Sequence, residues 1–304
     1  MKTKLHSLNS RYREGRSAYL LLSPYIVMFS MFIAIPIIIA VGLSFTYYDM
    51  IQTPRPIGFL NYIVLLTQDE VFLKNVIPNT FIYALIVGPG GYVLSFLLAW
   101  MLSQIQKVPR TILALLIYMP SMAGGVFVSI VWKSLFSGNE RGLINAFLLQ
   151  HKFILQPIQF LLNPESLMPI MVFVALWSSM GVGFLAMLAG VLNYNEEIYE
   201  AAYVDGIRNR FQEIIYITIP GMKPQMLFGA VMAIVNAFNT GRIGVDLTGM
   251  NPTPQYAGQL ILNHIEDYGF TRYEMGYAAA ISVLLLAMVW GFSKVAYTLF
   301  AEKD

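Results

Sequence analysis

Glu200-Ala201-Ala202-Tyr203-Val204-Asp205-Gly206, followed by Ile217-Thr218-Ile219-Pro220, forms a charged, amphipathic island between two long apolar runs. Its parts read as a helical hairpin. Asn195 is an N-cap, and Glu196 and Glu197 sit in the first turn, where the helix dipole favours acids. Ile198, Ala201, Ala202 and Asp205 share one helical face. Gly206 is a stop. Asn209, with Gln212 three residues on, caps a second helix; Phe211, Ile214 and Ile215 give that helix an apolar stripe. Pro220 and Pro224 end it and lead into the next apolar run. A hairpin so placed offers a contact surface to something outside a bilayer. The alternative is an interfacial helix pair lying flat beneath the membrane.

The bilayer itself follows from composition. The 304 residues are 57% hydrophobic and 12% charged, against about 25% charged in soluble domains. The absence of cysteine excludes disulfides, thiolate metal sites and a cysteine nucleophile. A net charge of +2 is too small to point to nucleic acid. The first apolar run is too long for a signal peptide and lacks a small-residue cleavage site.

Charge-free runs set the expected topology: an all-α integral membrane protein. Six spans are expected near 17–48, 75–106, 111–132, 166–195, 224–245 and 275–297, each near the ~20 apolar residues a crossing needs. Together they make one transmembrane domain over 17–300, with a basic tail at 1–16 and a short tail at 301–304. Pro24 and Pro36 can bend span one, and Gly88-Pro89-Gly90-Gly91 marks a kink or close packing in span two. The outer segment 134–168 holds a short helix around Leu143–Leu149, whereas 49–74 and 247–265 read as irregular. Twelve of the nineteen Lys and Arg fall on one side: Lys2, Lys4, Arg11, Arg13, Arg16, Lys107, Arg110, Arg208, Arg210, Lys223, Lys294 and Lys303. The positive-inside rule therefore puts both termini and the 193–223 loop in the cytoplasm.

Glu200-Ala201-Ala202 with Gly206 and Ile217-Thr218-Ile219-Pro220 resembles the EAA signature of ABC importer permeases. The chain is most similar to the sugar-permease branch, the maltose and glycerol-phosphate type. Asn79-Thr80, Pro120, Ile130-Val131-Trp132-Lys133, Gly142-Leu143-Ile144-Asn145, Trp177, Leu188-Ala189-Gly190, Leu247-Thr248-Gly249-Met250-Asn251-Pro252 and Gly276-Tyr277-Ala278-Ala279-Ala280 follow in the family's order. The gap between Gly206 and Ile217 holds ten residues, one more than the family's usual spacing. Met250 and Asn251 replace two glycines, and Ile207 stands where alanine is common.

The resemblance implies the type I importer fold and a set of roles. Glu200, Ala201, Ala202, Asp205, Gly206 and Pro220 would dock a cytoplasmic ATP-binding subunit. Asn236 and Asn239, on one face of span five, and Trp177, Ser178 and Ser179 in span four would line a sugar path. Helix–helix packing is the alternative for all five. Implied partners are a second EAA-type permease, two ATP-binding subunits, an extracytoplasmic solute-binding protein received by loops 49–74, 134–168 and 246–274, and a carbohydrate. The chain contains no GxxxxGK[ST], so it should not hydrolyse ATP itself. His6, His151 and His264 lack metal-ligand spacing and read as solvated; no metal or cofactor is expected. An ion-coupled secondary transporter would keep ionisable groups within its spans, and all seventeen Asp and Glu lie outside the charge-free runs. A membrane enzyme would need a catalytic constellation, and none is present in the sequence.

Overall fold

A computed structural model describes residues 20–193, 195–239 and 241–300. The expected tails at 1–16 and 301–304 lie outside the described residues. Among the described residues the regular structure is helical apart from one antiparallel ribbon of two residues per strand, Thr46–Tyr47 paired with Arg55–Pro56.

Among the described residues three helices are long and apolar enough to cross a bilayer unbroken: Leu20–Leu43, Phe72–Ser103 and Met275–Thr298, of 24, 32 and 24 residues. Two expected spans are instead bent pairs. Lys107–Met122 meets Phe127–Leu135 at 95°, and Pro164–Trp177 meets Val182–Leu192 at 43°. The stretch expected at 224–245 is the 17-residue helix Lys223–Asn239, then Ile243–Thr248. A run of hydropathy cannot see such breaks. Pro120 removes a helical donor near the first, and Gly124, at φ +74°, leaves the helical region. At the second, the Ser178 hydroxyl donates to the Val174 carbonyl at 3.0 Å and the Ser179 hydroxyl to that of Leu176 at 2.8 Å. The same two carbonyls already accept the Ser178 and Ser179 amides at 3.1 and 3.2 Å, so the hydroxyls add a second bond to each and are themselves satisfied at the break.

Three of the prolines follow widened turns. The π turns Ser30–Ala34, Phe72–Val76 and Ile214–Thr218 are each followed, two residues on, by Pro36, Pro78 and Pro220. A proline ring presses on the carbonyl four residues back and offers it no N–H. Bonding over five residues rather than four relieves that clash. The third of these turns also gives the tenth residue of the Gly206–Ile217 gap a place inside a turn.

Spans two, four and five form the centre. Phe96, Ala99, Phe184, Met187, Met222 and Met226 pack in the half next to the hairpin, and Tyr83, Leu167, Met171, Val174 and Leu247 in the opposite half. Gly88-Pro89-Gly90-Gly91 is a close-packing point within a continuous helix: a Cβ on Gly91 would stand 3.0 Å from Ser179 Cβ and Oγ. Span one is different, since none of its apolar window is buried.

The outer loops carry more structure than their composition suggests. Residues 49–74 contain the helix Leu60–Thr67. The expected helix in 134–168 spans Leu143–Gln150; buried Asn145 secures it by donating to the Ser137 and Ile158 carbonyls, both at 3.0 Å. The stretch 247–265, expected as a loop, ends in the helix Ile261–Glu266.

His264, expected to be solvated, is 2% exposed. Its Nε2 lies 2.9 Å from Asp69 Oδ2, which also accepts from the Tyr277 hydroxyl at 2.9 Å and from that of Tyr268 at 3.3 Å. His6 lies outside the described residues, and His151 is exposed. Burial pushes the Asp69 carboxyl up, but the His264 hydrogen bond and the Phe72 amide outweigh it and hold the pKa at about 2, against an ordinary 3.8. A depressed carboxyl stabilises the fold above its unfolded pKa and loses that contribution as pH falls through its folded value. The packing around Asp69 should therefore lose stability as pH drops from 3.8 towards about 2. Asp69→Asn should cost about 1–3 kcal/mol at neutral pH and flatten that acid limb, as read by thermal unfolding in detergent against pH. An unchanged acid limb in the variant would remove Asp69 from the account.

Candidate functional site

Two features could carry function: the hairpin between spans four and five, and a cavity among the spans. The hairpin's first helix is Glu196–Val204, capped by Asn195, whose side chain accepts the Glu197 amide at 3.1 Å. It ends as a Schellman turn. The Gly206 amide donates to the Tyr203 carbonyl at 3.3 Å, and the Ile207 amide to that of Ala202 at 3.0 Å. That geometry needs a left-handed residue, and Gly206 has φ +102°. Asn209 caps the second helix by accepting the Gln212 amide at 2.8 Å, and Gln212 reaches back to accept from the Arg208 amide at 3.0 Å.

Polar side chains tie the two arms together. Glu213 is 3% exposed; its Oε2 accepts from the Tyr203 hydroxyl at 2.6 Å and from Arg210 at 2.8 Å. The hydrogen bond to Glu213 raises the pKa of Tyr203, and the same partner raises that of Arg210. Tyr199 and Thr218 hydroxyls lie 3.2 Å apart across the arms. The tip is thereby held out from the membrane body. Glu200, Ala201, Asp205, Gly206 and Pro220 are exposed, and Ala202 is half-buried. Beside them stand Val204 at 88% and Phe211 at 70% exposure. Apolar side chains so bare on a rigid elbow suit a partner surface.

The cavity, of about 270 Å³, lies between spans two, three, four and five. Ser95, Tyr118, Ser121, Ser178, Ser179 and Asn236 bring hydroxyls and an amide to its wall, and no charged side chain lines it among the described residues. Gly91, Gly183 and Gly229 line it where these helices approach closely: a Cβ on Gly91 would stand 3.0 Å from Ser179, and one on Gly183 3.4 Å from the Gly229 Cα. A second cavity, of about 370 Å³, opens outward of it and shares Ser121, Ala175 and Ser178 with it. Asn239, Ser129, Arg242 and Asp246 line the second. Arg242 there is paired with Glu266 at 3.1 Å and Asp246 at 3.5 Å.

Residues 91–298 match the family described as binding-protein-dependent transport system inner membrane component. The chain belongs to that family. YesP of Bacillus subtilis strain 168, a probable ABC transporter permease protein, is 33% identical over 278 residues, covering 91% of this chain and 88% of YesP. The arabinooligosaccharides transport system permease protein AraP of the same organism is 28% identical over 286 residues, with coverages of 91% and 86%. A bacterial alginate ABC transporter, solved with its alginate pentasaccharide-bound periplasmic protein, contains a chain of the same fold. Its TM-score is 0.78 at 23% identity, over 95% of this chain and 96% of that one. The EAA resemblance is thus borne out: the protein is a multi-pass, non-enzymatic permease subunit of an ABC transporter.

Within this permease the expected site residues fall in three places. Glu200, Ala201, Ala202, Asp205 and Gly206 gather at the exposed elbow, whereas Pro220 stands at the far end of its second arm, where the chain enters span five. Ser178, Ser179 and Asn236 line the inner cavity, and Asn239 lines the outer one. Trp177 lines neither; it packs edge-on against Trp132 at 5.3 Å and 84° and is 43% exposed. Sequence reasoning passed over Glu213, Tyr203 and Tyr199, which hold the elbow, and Ser95, Tyr118 and Ser121, which complete the cavity. An acid within an apolar stripe, at Glu213, was the available signal. The cavity serines carry none, because isolated serines are ordinary in membrane helices.

Proposed function

We propose that this permease is one half of a heterodimeric importer channel in a bacterial cytoplasmic membrane, with both termini inside. It passes a neutral mono- or oligosaccharide handed over by an extracytoplasmic binding protein that rests on loops 49–74, 134–168 and 246–274. Two ATP-binding subunits, separate chains, drive it between inward- and outward-open states by seizing the elbow.

One observation carries the reading: an elbow stiffened by a Schellman turn and a buried carboxylate, yet bare at its tip. Such an element transmits displacement instead of absorbing it. The cavity supports the sugar assignment, since hydroxyls and amides without charge satisfy sugar hydroxyls without selecting an ion. Among the described residues that line the two cavities the one cation, Arg242, is paired, so neither cavity favours an acidic solute. The oligosaccharide in AraP's name points the same way.

The chain has no cysteine, so Ala201→Cys creates a single thiol at the tip. A short bifunctional crosslinker applied to native membranes should join it to an ATP-binding polypeptide, and ATP should alter the yield. Membranes in which Cys-bearing permease inserts normally but joins no such polypeptide would overturn the docking role.

A further inference from the structure

We propose that this permease binds a phosphate-class anion, the headgroup of an anionic phospholipid, in a groove where the elbow meets the membrane body. The site goes beyond the importer reading and depends on it only for which leaflet supplies the lipid. The groove holds about 380 Å³ between the end of span two, the start of span three, the end of span four and the elbow. Trp100, Gln104, Arg110 and Arg210 bring donors to it, and Val191 and Leu192 form an apolar wall.

Two of those donors have nothing to bind. Arg110 is half-buried, and its guanidinium makes no hydrogen bond or ion pair among the described residues. Trp100 Nε1 is buried without an acceptor. A half-buried arginine without a partner and an orphaned indole N–H beneath the groove wall both cost free energy; an oxyanion is acceptor to the first directly and to the second once the ring turns outward. Glu213 also lines the groove, but its Oε2 is already taken by Arg210 and Tyr203. That leaves the charge of Arg110 uncompensated.

The helix start adds to it. The helix Lys107–Met122 begins without a side-chain cap and without an acid in its first turn. Lys107 and Arg110 instead place two cations on the positive end of the dipole, an arrangement that an anion relieves. The groove lies at the end of the apolar spans, where headgroups sit. Basic pockets between membrane helices on the inner face take anionic lipid headgroups for these reasons. A lipid bound there bridges the body to Arg210, and so to the network that holds the elbow.

Native mass spectrometry of the full chain in detergent, titrated with phosphatidylglycerol or phosphatidylcholine, tests this. Wild type should retain phosphatidylglycerol in preference, and Arg110→Gln should weaken retention on the order of tenfold, as loss of a charge-assisted bond would. Trp100→Phe, which keeps the ring and removes the donor, should weaken it by about threefold. Lys223→Gln, an exposed inner cation outside the groove, should change nothing. Displacement of the lipid by millimolar inorganic phosphate would support the anion site and assign it to free phosphate; persistence against phosphate would assign it to the lipid. Equal retention of the two lipids by wild type would overturn the proposal. So would wild-type retention in Arg110→Gln or, should that variant not fold, in Trp100→Phe.

Discussion

Gly206→Pro should abolish transport while leaving the permease in the membrane at its normal level. At Gly206 the backbone stands at φ +102° and its amide closes the Schellman turn onto Tyr203. Proline has no amide hydrogen to give and holds φ near −65°. The mismatch costs about 3 kcal/mol or more, enough to deplete the docking-competent elbow by about two orders of magnitude. A Cβ on Gly206 would meet nothing within 4 Å, so insertion should survive. Gly206→Ala keeps the amide and meets only backbone strain of about 1–3 kcal/mol, so it should fall between the two. Glu200→Ala leaves the turn intact and removes an exposed carboxylate. It should let ATP hydrolysis proceed with little uptake, since the elbow keeps its shape and loses its grip. Uptake of labelled oligosaccharide into cells, set beside ATPase activity of the purified complex, reads all three. Normal uptake by both Gly206→Pro and Glu200→Ala would sink the coupling role.

The second large effect lies in the bilayer. Gly91→Val should close the inner cavity, because its Cβ alone would press on Ser179 Cβ and Oγ at 3.0 Å. Overpacking of this kind costs about 1–3 kcal/mol, which the helix pair can survive by moving Ser179 into the empty space. Uptake should then fall to below about a tenth of wild type, with the Ala201→Cys crosslink still forming. Gly91→Ala should be intermediate. The separation matters: an elbow variant loses the crosslink and keeps the cavity, whereas the cavity variant does the reverse. If Gly91→Val transported normally, the path would have to run elsewhere.

Much of this was legible beforehand, and for identifiable reasons. The charge-free runs announced the membrane because no water is there to solvate a side chain. The elbow was legible to its caps: Asn195, Gly206 and Asn209 act on neighbours within a few residues, and local chemistry is written locally. The breaks in spans three and four were not legible. Ser178, Ser179 and Gly124 hardly lower a hydropathy average, and whether a serine serves a helix or ends one depends on what surrounds it. His264 was misread because its partner, Asp69, is 195 residues away.

By itself, the sequence determined that the chain lies in a bilayer, that a capped, acidic hairpin interrupts its apolar runs, and which transporter family it resembles. Each of these rests on composition or on contacts a few residues apart. Only the tertiary structure decided that Glu213 locks the elbow, that Trp177 faces Trp132 instead of the cavity, and that serines from three helices converge on one polar chamber with Asn236. Those outcomes depend on which helices approach one another and how closely. Small residues such as Gly91 and Gly229 set that approach, and their effect exists only once a second helix is there to be met.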